Sequence, residues 1–167
     1  EKFTGLKNVF LEQLATYGKA DRDPGGRVVS ILYWSLIKLD DLHRDIANEH
    51  GAKWFDLNKL PELVLDHQDM ITLGARQLIQ NAKTRPIGFE LLAEEFTLPQ
   101  LKQLYDAIYG KIIDDRNFRK KILSTDLLIK TEKKDKSTSK KGAFVYRFDA
   151  EKYDYLRNQG YHLDLNV

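Results

Sequence analysis

The spacing of apolar residues changes along this chain, and each spacing predicts an element. "RVVSILYWSLI", residues 27–37, is rich in β-branched and aromatic side chains and follows the turn-like "DRDPGG". It predicts a buried strand. "AKWFDL" predicts a second, shorter strand. In "LPELVLDHQDMITLGARQLIQNAK", Met70, Ile71, Leu78 and Ile79 return at helical spacing behind Asp66, which can cap the helix. Gly74 sits inside it. "KTRPIG" then breaks the pattern. It sets the expected boundary between a domain at 1–83 and a second at 84–167.

The second domain is strongly punctuated. In "FTLPQLKQLYDAIYG", Thr97 and Gln100 form a capping box, and Phe96 with Leu101 form a hydrophobic staple. Leu101, Leu104, Tyr105 and Ile108 make the inner face, and Gly110 ends the helix. "GKIIDDRNFRKKIL" starts another helix at Asp114, with Ile113 and Phe118 as its staple. Phe118 and Ile122 lie one turn apart and face inward. At about 100° per residue, Lys120 then points outward, flanked by Arg116 and Asn117, with Arg119 and Lys121 at the borders. "LLIKTE" reads as a strand, "KKDKSTSKK" as a flexible basic loop and "GAFVYRFD" as a returning strand. Phe144, Tyr146 and Phe148 alternate onto one of its faces and Arg147 onto the other. Helix, short turn, helix and hairpin make a winged helix-turn-helix.

Charge sharpens this picture. The chain has 167 residues and a net charge of +2, but residues 111–147 hold 12 Lys and Arg against five Asp and Glu. A basic segment on an acidic body suits an anionic polymer, although a lysine-rich loop that only aids solubility gives the same count. Arg116, Asn117, Arg119, Lys120 and Lys121 can reach base edges and phosphates from one helix face. Lys133, Lys134, Lys140 and Lys141 can reach phosphates from the wing, so double-stranded DNA is the expected partner. Asp115 and Arg119 form the one i,i+4 pair on the helix, so most of its bases lack local partners.

Other chemistry is sparse. There is no cysteine, which removes disulfides and thiolate metal sites and favours a reducing, cytoplasmic compartment. No apolar run is long enough to span a membrane. His43, His50, His67 and His162 are scattered, without metal spacing. No catalytic residue, metal or cofactor is expected. "DRDPGGR" gathers Asp21, Arg22, Asp23 and Arg27, although charged turns are ordinarily only turns. The chain opens on "EKFTGL" without a Met, so its natural N-terminus is expected upstream.

These segments carry a family resemblance. "FLEQLATYGKADRDPGGRVVSILYWSLI" and "AKWFDLNKLPELVLDHQDMI" resemble the central and closing parts of Nudix domains. "FTLPQLKQLYDAIYGKIIDDRNFRKKIL", through "KGAFVYRFD", resembles the winged helix of the Nudix-related (NrtR-like) transcriptional regulators, and within them the sugar-responsive branch that includes arabinose sensors. The resemblance implies an α/β fold, a partial Nudix α/β/α sandwich, followed by an α+β winged helix-turn-helix domain. It implies a homodimeric repressor on a palindromic operator. Its effector would be a sugar or sugar nucleotide, with Arg22, Asp23 and Arg27 at the ligand cleft. A Nudix box ends in paired glutamates, which hold the cation that activates water. Lys2 and Phe3 stand in their place, so the domain is expected to sense rather than catalyse. The alternative is a hydrolase of ADP-ribose-like nucleoside diphosphates.

Overall fold

The computed structural model describes residues 2, 4–7, 9–38, 41–137 and 141–166. The chain divides into two compact units, Glu1–Ala75 and Arg76–Val167. The division falls inside the helix His67–Thr84.

In the N-terminal unit, β1 (Glu12–Tyr17) pairs antiparallel with β2 (Ser30–Trp34), with a bulge between Gln13 and Ala15. Helix α1 (Asp41–Glu49) and helix α2 (His67–Thr84) follow. Two expectations need correction. The apolar run around β2 is not buried, for Ile31 is 51% and Tyr33 47% exposed. A sheet of two strands has too little surface to bury both faces. "AKWFDL" forms no strand. Asp56 instead caps a single 3₁₀ turn, Leu57–Lys59, accepting from Asn58 N at 2.8 Å.

The C-terminal unit is a winged helix. A short β3 (Phe96–Thr97) leads into α3 (Leu98–Tyr109), and α4 (Asp115–Ser124) follows a tight turn. Strands β4 (Leu128–Asp135) and β5 (Ala143–Phe148) form the hairpin, and α5 (Ala150–Asn158) closes it. The sheet is antiparallel, in the order β3-β5-β4.

The caps explain why the helices start and stop where they do. Thr97 N donates to Gln100 Oε1 at 2.7 Å, and Gln100 N donates back to Thr97 Oγ1 at 3.4 Å. Gly110 ends α3 at φ 64°, the left-handed region where a side chain costs energy. Asp106 then pins the turn, accepting from Lys102 Nζ at 2.7 Å and from Ile113 N at 2.8 Å. Asp114 caps α4 by accepting from Asn117 N at 2.7 Å.

One core joins these elements. Phe96, Leu98, Leu101, Tyr105, Ile113, Phe118, Ile122, Leu127 and Tyr146 are buried together. Phe118 packs against Tyr105, with ring centroids 5.5 Å apart, and Ile108 lines the same cluster. The tail after α5 adds Leu163 and Leu165 to this core. It is bonded through Leu165 N to Lys83 O at 2.9 Å and through Tyr109 Oη to Leu165 O at 3.1 Å. Replacing Phe118 with Ala should cost about 3–5 kcal/mol and unfold this unit first. Thermal denaturation followed by circular dichroism checks it, and a shift no larger than that of a surface substitution would contradict the packing.

Candidate nucleic-acid interface

With Phe118 and Ile122 turned inward, the outer face of α4 is set. Arg116, Asn117, Arg119 and Lys120 are exposed, and among the described residues no carboxylate lies within ion-pair distance of the three bases. The expected Asp115–Arg119 pair does not form. Lys121 differs. It is half-buried and meets Asp164 of the tail at 3.3 Å, so its charge is already partly answered.

The wing is longer in strand and shorter in loop than expected. Lys133 and Lys134 belong to β4, because pairing with β5 continues to Asp135 opposite Ala143. Lys133 Nζ contacts both oxygens of Glu95, at 2.9 and 2.8 Å. Lys134 Nζ lies 4.7 Å from the Phe144 ring centroid. Lys141 is exposed at the end of the loop, and Lys140 falls outside the described residues. Phe144 is 37% exposed, whereas Tyr146 on the same strand is buried. The pairing of β4 with β5 shifts register between Lys130 and Lys134. Sequence reasoning missed Lys130, Asp164 and Glu95. Lys130 was legible as one more base on β4, but the two acids act across the fold and leave no local signal.

The N-terminal turn has a different construction. Arg22 was expected to face a ligand. Its side chain is only 4% exposed, and it donates from Nε and Nη2 to Asp66 at 2.8 and 2.7 Å and from Nη1 to Ser30 Oγ at 2.8 Å. Asp66 therefore spends its carboxylate on Arg22 rather than on capping α2. Asp23 folds the turn by accepting from Gly25 N at 2.8 Å, and Arg27 is exposed. Beside the Arg22–Asp66 pair lies a cleft of about 380 Å³, lined also by Thr16, Tyr17, Lys19, Asp21 and Asp69. The turn thus backs the cleft with Arg22, while Lys19 and Asp21 line it. Among the described residues, no group of three or more His, Asp or Glu side chains is placed to hold a metal. Nor is any helix among them long and apolar enough to cross a membrane.

The helix pair and its hairpin match a known family. Residues 88–148 fit the model of the NrtR DNA-binding winged helix domain. This segment belongs to the NrtR winged helix family. The NrtR domain supplies α3, α4 and the wing, and the likeness extends beyond it. The chain is 29% identical over 154 residues to a protein of Acinetobacter baylyi named ADPR responsive transcriptional repressor NtrR, covering 91% of this chain and 61% of that protein. Over 69 residues it is 41% identical to an ADP-ribose pyrophosphatase of Methanocaldococcus jannaschii, 41% of this chain and 40% of that one. The chain therefore spans about three fifths of the first of these relatives and two fifths of the second.

Solved structures agree. The Shewanella oneidensis NrtR complexed with a 27mer DNA superposes with a TM-score of 0.69 at 27% identity, over 96% of this chain and 71% of that one. A second crystal structure of Shewanella oneidensis NrtR gives 0.63 at 28% identity, over 87% of this chain and 67% of that one. A MutT/nudix family protein from Enterococcus faecalis gives 0.50 at 20% over 83% of this chain and 61% of that one, a likeness of fold alone. The architecture is a Nudix-like α/β unit followed by an NrtR winged helix.

The Arg22–Asp66 pair makes a pH prediction. The hydrogen bonds from Arg22 are the main reason the Asp66 carboxyl sits below its ordinary value of 3.8. A lowered folded value means the pair stabilises the unit fully above that ordinary value, and the contribution is lost as pH falls through the folded value. Asp66→Asn should therefore melt well below the wild type at neutral pH, and the gap should narrow as the pH falls below the ordinary carboxylate value of 3.8 and the wild-type carboxyl takes up its proton. Melting temperatures of both proteins across this range measure it, and a constant gap would contradict the pairing.

Proposed function

We propose that the chain acts as a DNA-binding transcriptional repressor whose Nudix-like unit responds to a small ligand. The observation that carries this reading is the outer face of α4 in an NrtR domain, where Arg116, Asn117, Arg119 and Lys120 are exposed and the bases lack carboxylate partners. Arginine can pair with guanine in two bonds and asparagine with adenine, and a helix of this width enters the major groove. Lys133, Lys134 and Lys141 would meet phosphates from the wing. Lys121 would do so only by leaving Asp164, and Lys133 only by leaving Glu95. One winged helix makes a small interface, so a homodimer on a palindromic site is the expected binding unit.

The test is an anisotropy titration on duplexes enriched from a random pool and on unselected duplex, at several salt concentrations. Arg116→Ala or Asn117→Ala should each cost about 1–3 kcal/mol on the enriched site and relax preference at one base pair. Lys141→Ala should weaken all sequences alike and lower the salt slope by about one. Two chains should bind per duplex. Unchanged affinity and preference in the folded α4 variants would sink the recognition-helix reading.

The effector reading rests on the two curated relatives, both named for ADP-ribose and neither for arabinose. An ADP-ribose-class ligand suits the cleft beside Arg22. Lys19 offers a charge to a diphosphate and Tyr17 a ring to a base. Lys2 and Phe3 stand where the resemblance places catalytic glutamates, which favours a sensor over a hydrolase. Calorimetry with ADP-ribose, AMP and arabinose should give heat with ADP-ribose, and the ligand should be recovered intact after incubation with Mg²⁺. Heat with arabinose alone would restore the sugar-sensor expectation. No heat with any ligand would remove the sensor, and cleaved ADP-ribose would establish the hydrolase.

A further inference from the structure

The wing carries a cluster that the recognition residues do not use. Lys130 Nζ lies 3.5 Å from the centroid of the Phe144 ring and Lys134 Nζ 4.7 Å from it. Register brings them there. Lys130 pairs with Tyr146 and Lys134 with Phe144, so β4 spends four residue steps where β5 spends two. Regular pairing would set Glu132 opposite Phe144. The distortion is built in by Thr131, whose hydroxyl donates to Val145 O at 3.1 Å and accepts from Lys133 N at 3.2 Å. It removes an acid from the ring and gathers two bases on it.

The ring attracts each ammonium through its negative face, but the two cations repel one another. Two nearby lysines of this unit are answered by carboxylates, Lys133 by Glu95 and Lys121 by Asp164. Among the described residues, no carboxylate is within ion-pair distance of Lys130 or Lys134. The cluster is thus a preassembled double positive charge beside a partly exposed aromatic edge. A phosphate resting against it would neutralise both ammonium groups, and less side-chain freedom would be lost on binding because the ring already holds them.

We propose that Phe144 is a positioning residue that holds Lys130 and Lys134 as a joint phosphate contact for the nucleic-acid backbone, adding affinity without base preference. This rests on the reading of the wing as a DNA surface. The test is duplex binding by anisotropy across salt concentrations, with thermal melts of every variant. Phe144→Tyr keeps the ring and should bind as wild type. Phe144→Leu keeps apolar bulk without the ring and should weaken binding about two- to five-fold on every sequence. Lys130→Gln should lower the salt slope by about one. Its loss should be smaller in the Phe144→Leu background, because the ring no longer places the ammonium. A folded Phe144→Leu that binds as wild type, or losses that simply multiply, would overturn the proposal. If Phe144→Leu does not fold, Lys130→Gln with Lys134→Gln decides, and unchanged binding by that pair overturns it. Failure here with Arg116→Ala still losing affinity leaves the DNA reading standing. Absence of salt-dependent duplex binding by the wild type removes both.

Discussion

The packing of Phe118 on Tyr105 decides what α4 can show to a partner. Each residue advances a helix by about 100°, so fixing Phe118 and Ile122 inward fixes Arg116, Arg119 and Lys120 outward. A rotation by one residue would drive a charged side chain into an apolar core, at a cost far above any surface contact. Asp114 sets the start of the helix and therefore its phase. Asp106 sets the turn before it by holding Ile113 N. The outward position of the α4 bases depends on this one buried contact and the two carboxylates that lead into it.

Those features were legible because they are local. A capping box, a staple and a C-terminal glycine are read within a few residues, and the structure reproduces Thr97–Gln100, Phe96–Leu101, Gly110 and Asp114 as the sequence suggests. What failed was non-local. "AKWFDL" has strand-like composition but no strand beside it, and composition cannot supply a partner. The extension of β4 into "KKD" depends on pairing with Ala143 and Phe144 across the hairpin, which outweighs the loop-like composition of the segment. The site residues divide the same way. The outward direction of Arg116, Asn117 and Lys120 follows from helical phase, while the engagement of Lys121 by Asp164 links residues 43 positions apart.

Charge in the C-terminal unit is better described by its pairing than by its sum. Lys121, Lys133 and Lys152 each have a carboxylate partner, Asp164, Glu95 and Asp126. Exposed pairs of this kind contribute about 0–1 kcal/mol each, so they exchange readily for another anion. Among the described residues, Arg116, Arg119, Lys120 and Lys141 have no such partner to leave. An arriving polyanion meets the unpaired groups first, and the paired ones join only by giving up an internal contact. The net charge of residues 111–147 thus overstates the field available at once and understates what a bound polyanion can recruit.

The N-terminal unit is held by a different balance. Among the described residues, Ala47 and Met70 are its buried apolar side chains, while Phe10, Leu11, Val29 and Ile31 are more than half exposed. With little apolar burial, directional contacts carry more of the order. Arg22 joins the turn, β2 and the start of α2 through Ser30 and Asp66, the latter 44 residues away. An arginine fork suits this work because its planar donors match a carboxylate in two bonds and leave others for a hydroxyl. The cleft beside this pair is lined by Arg22 and Asp66 themselves as well as by Lys19 and Tyr17, so the two side chains that tie the turn to the start of α2 also form part of the cleft wall.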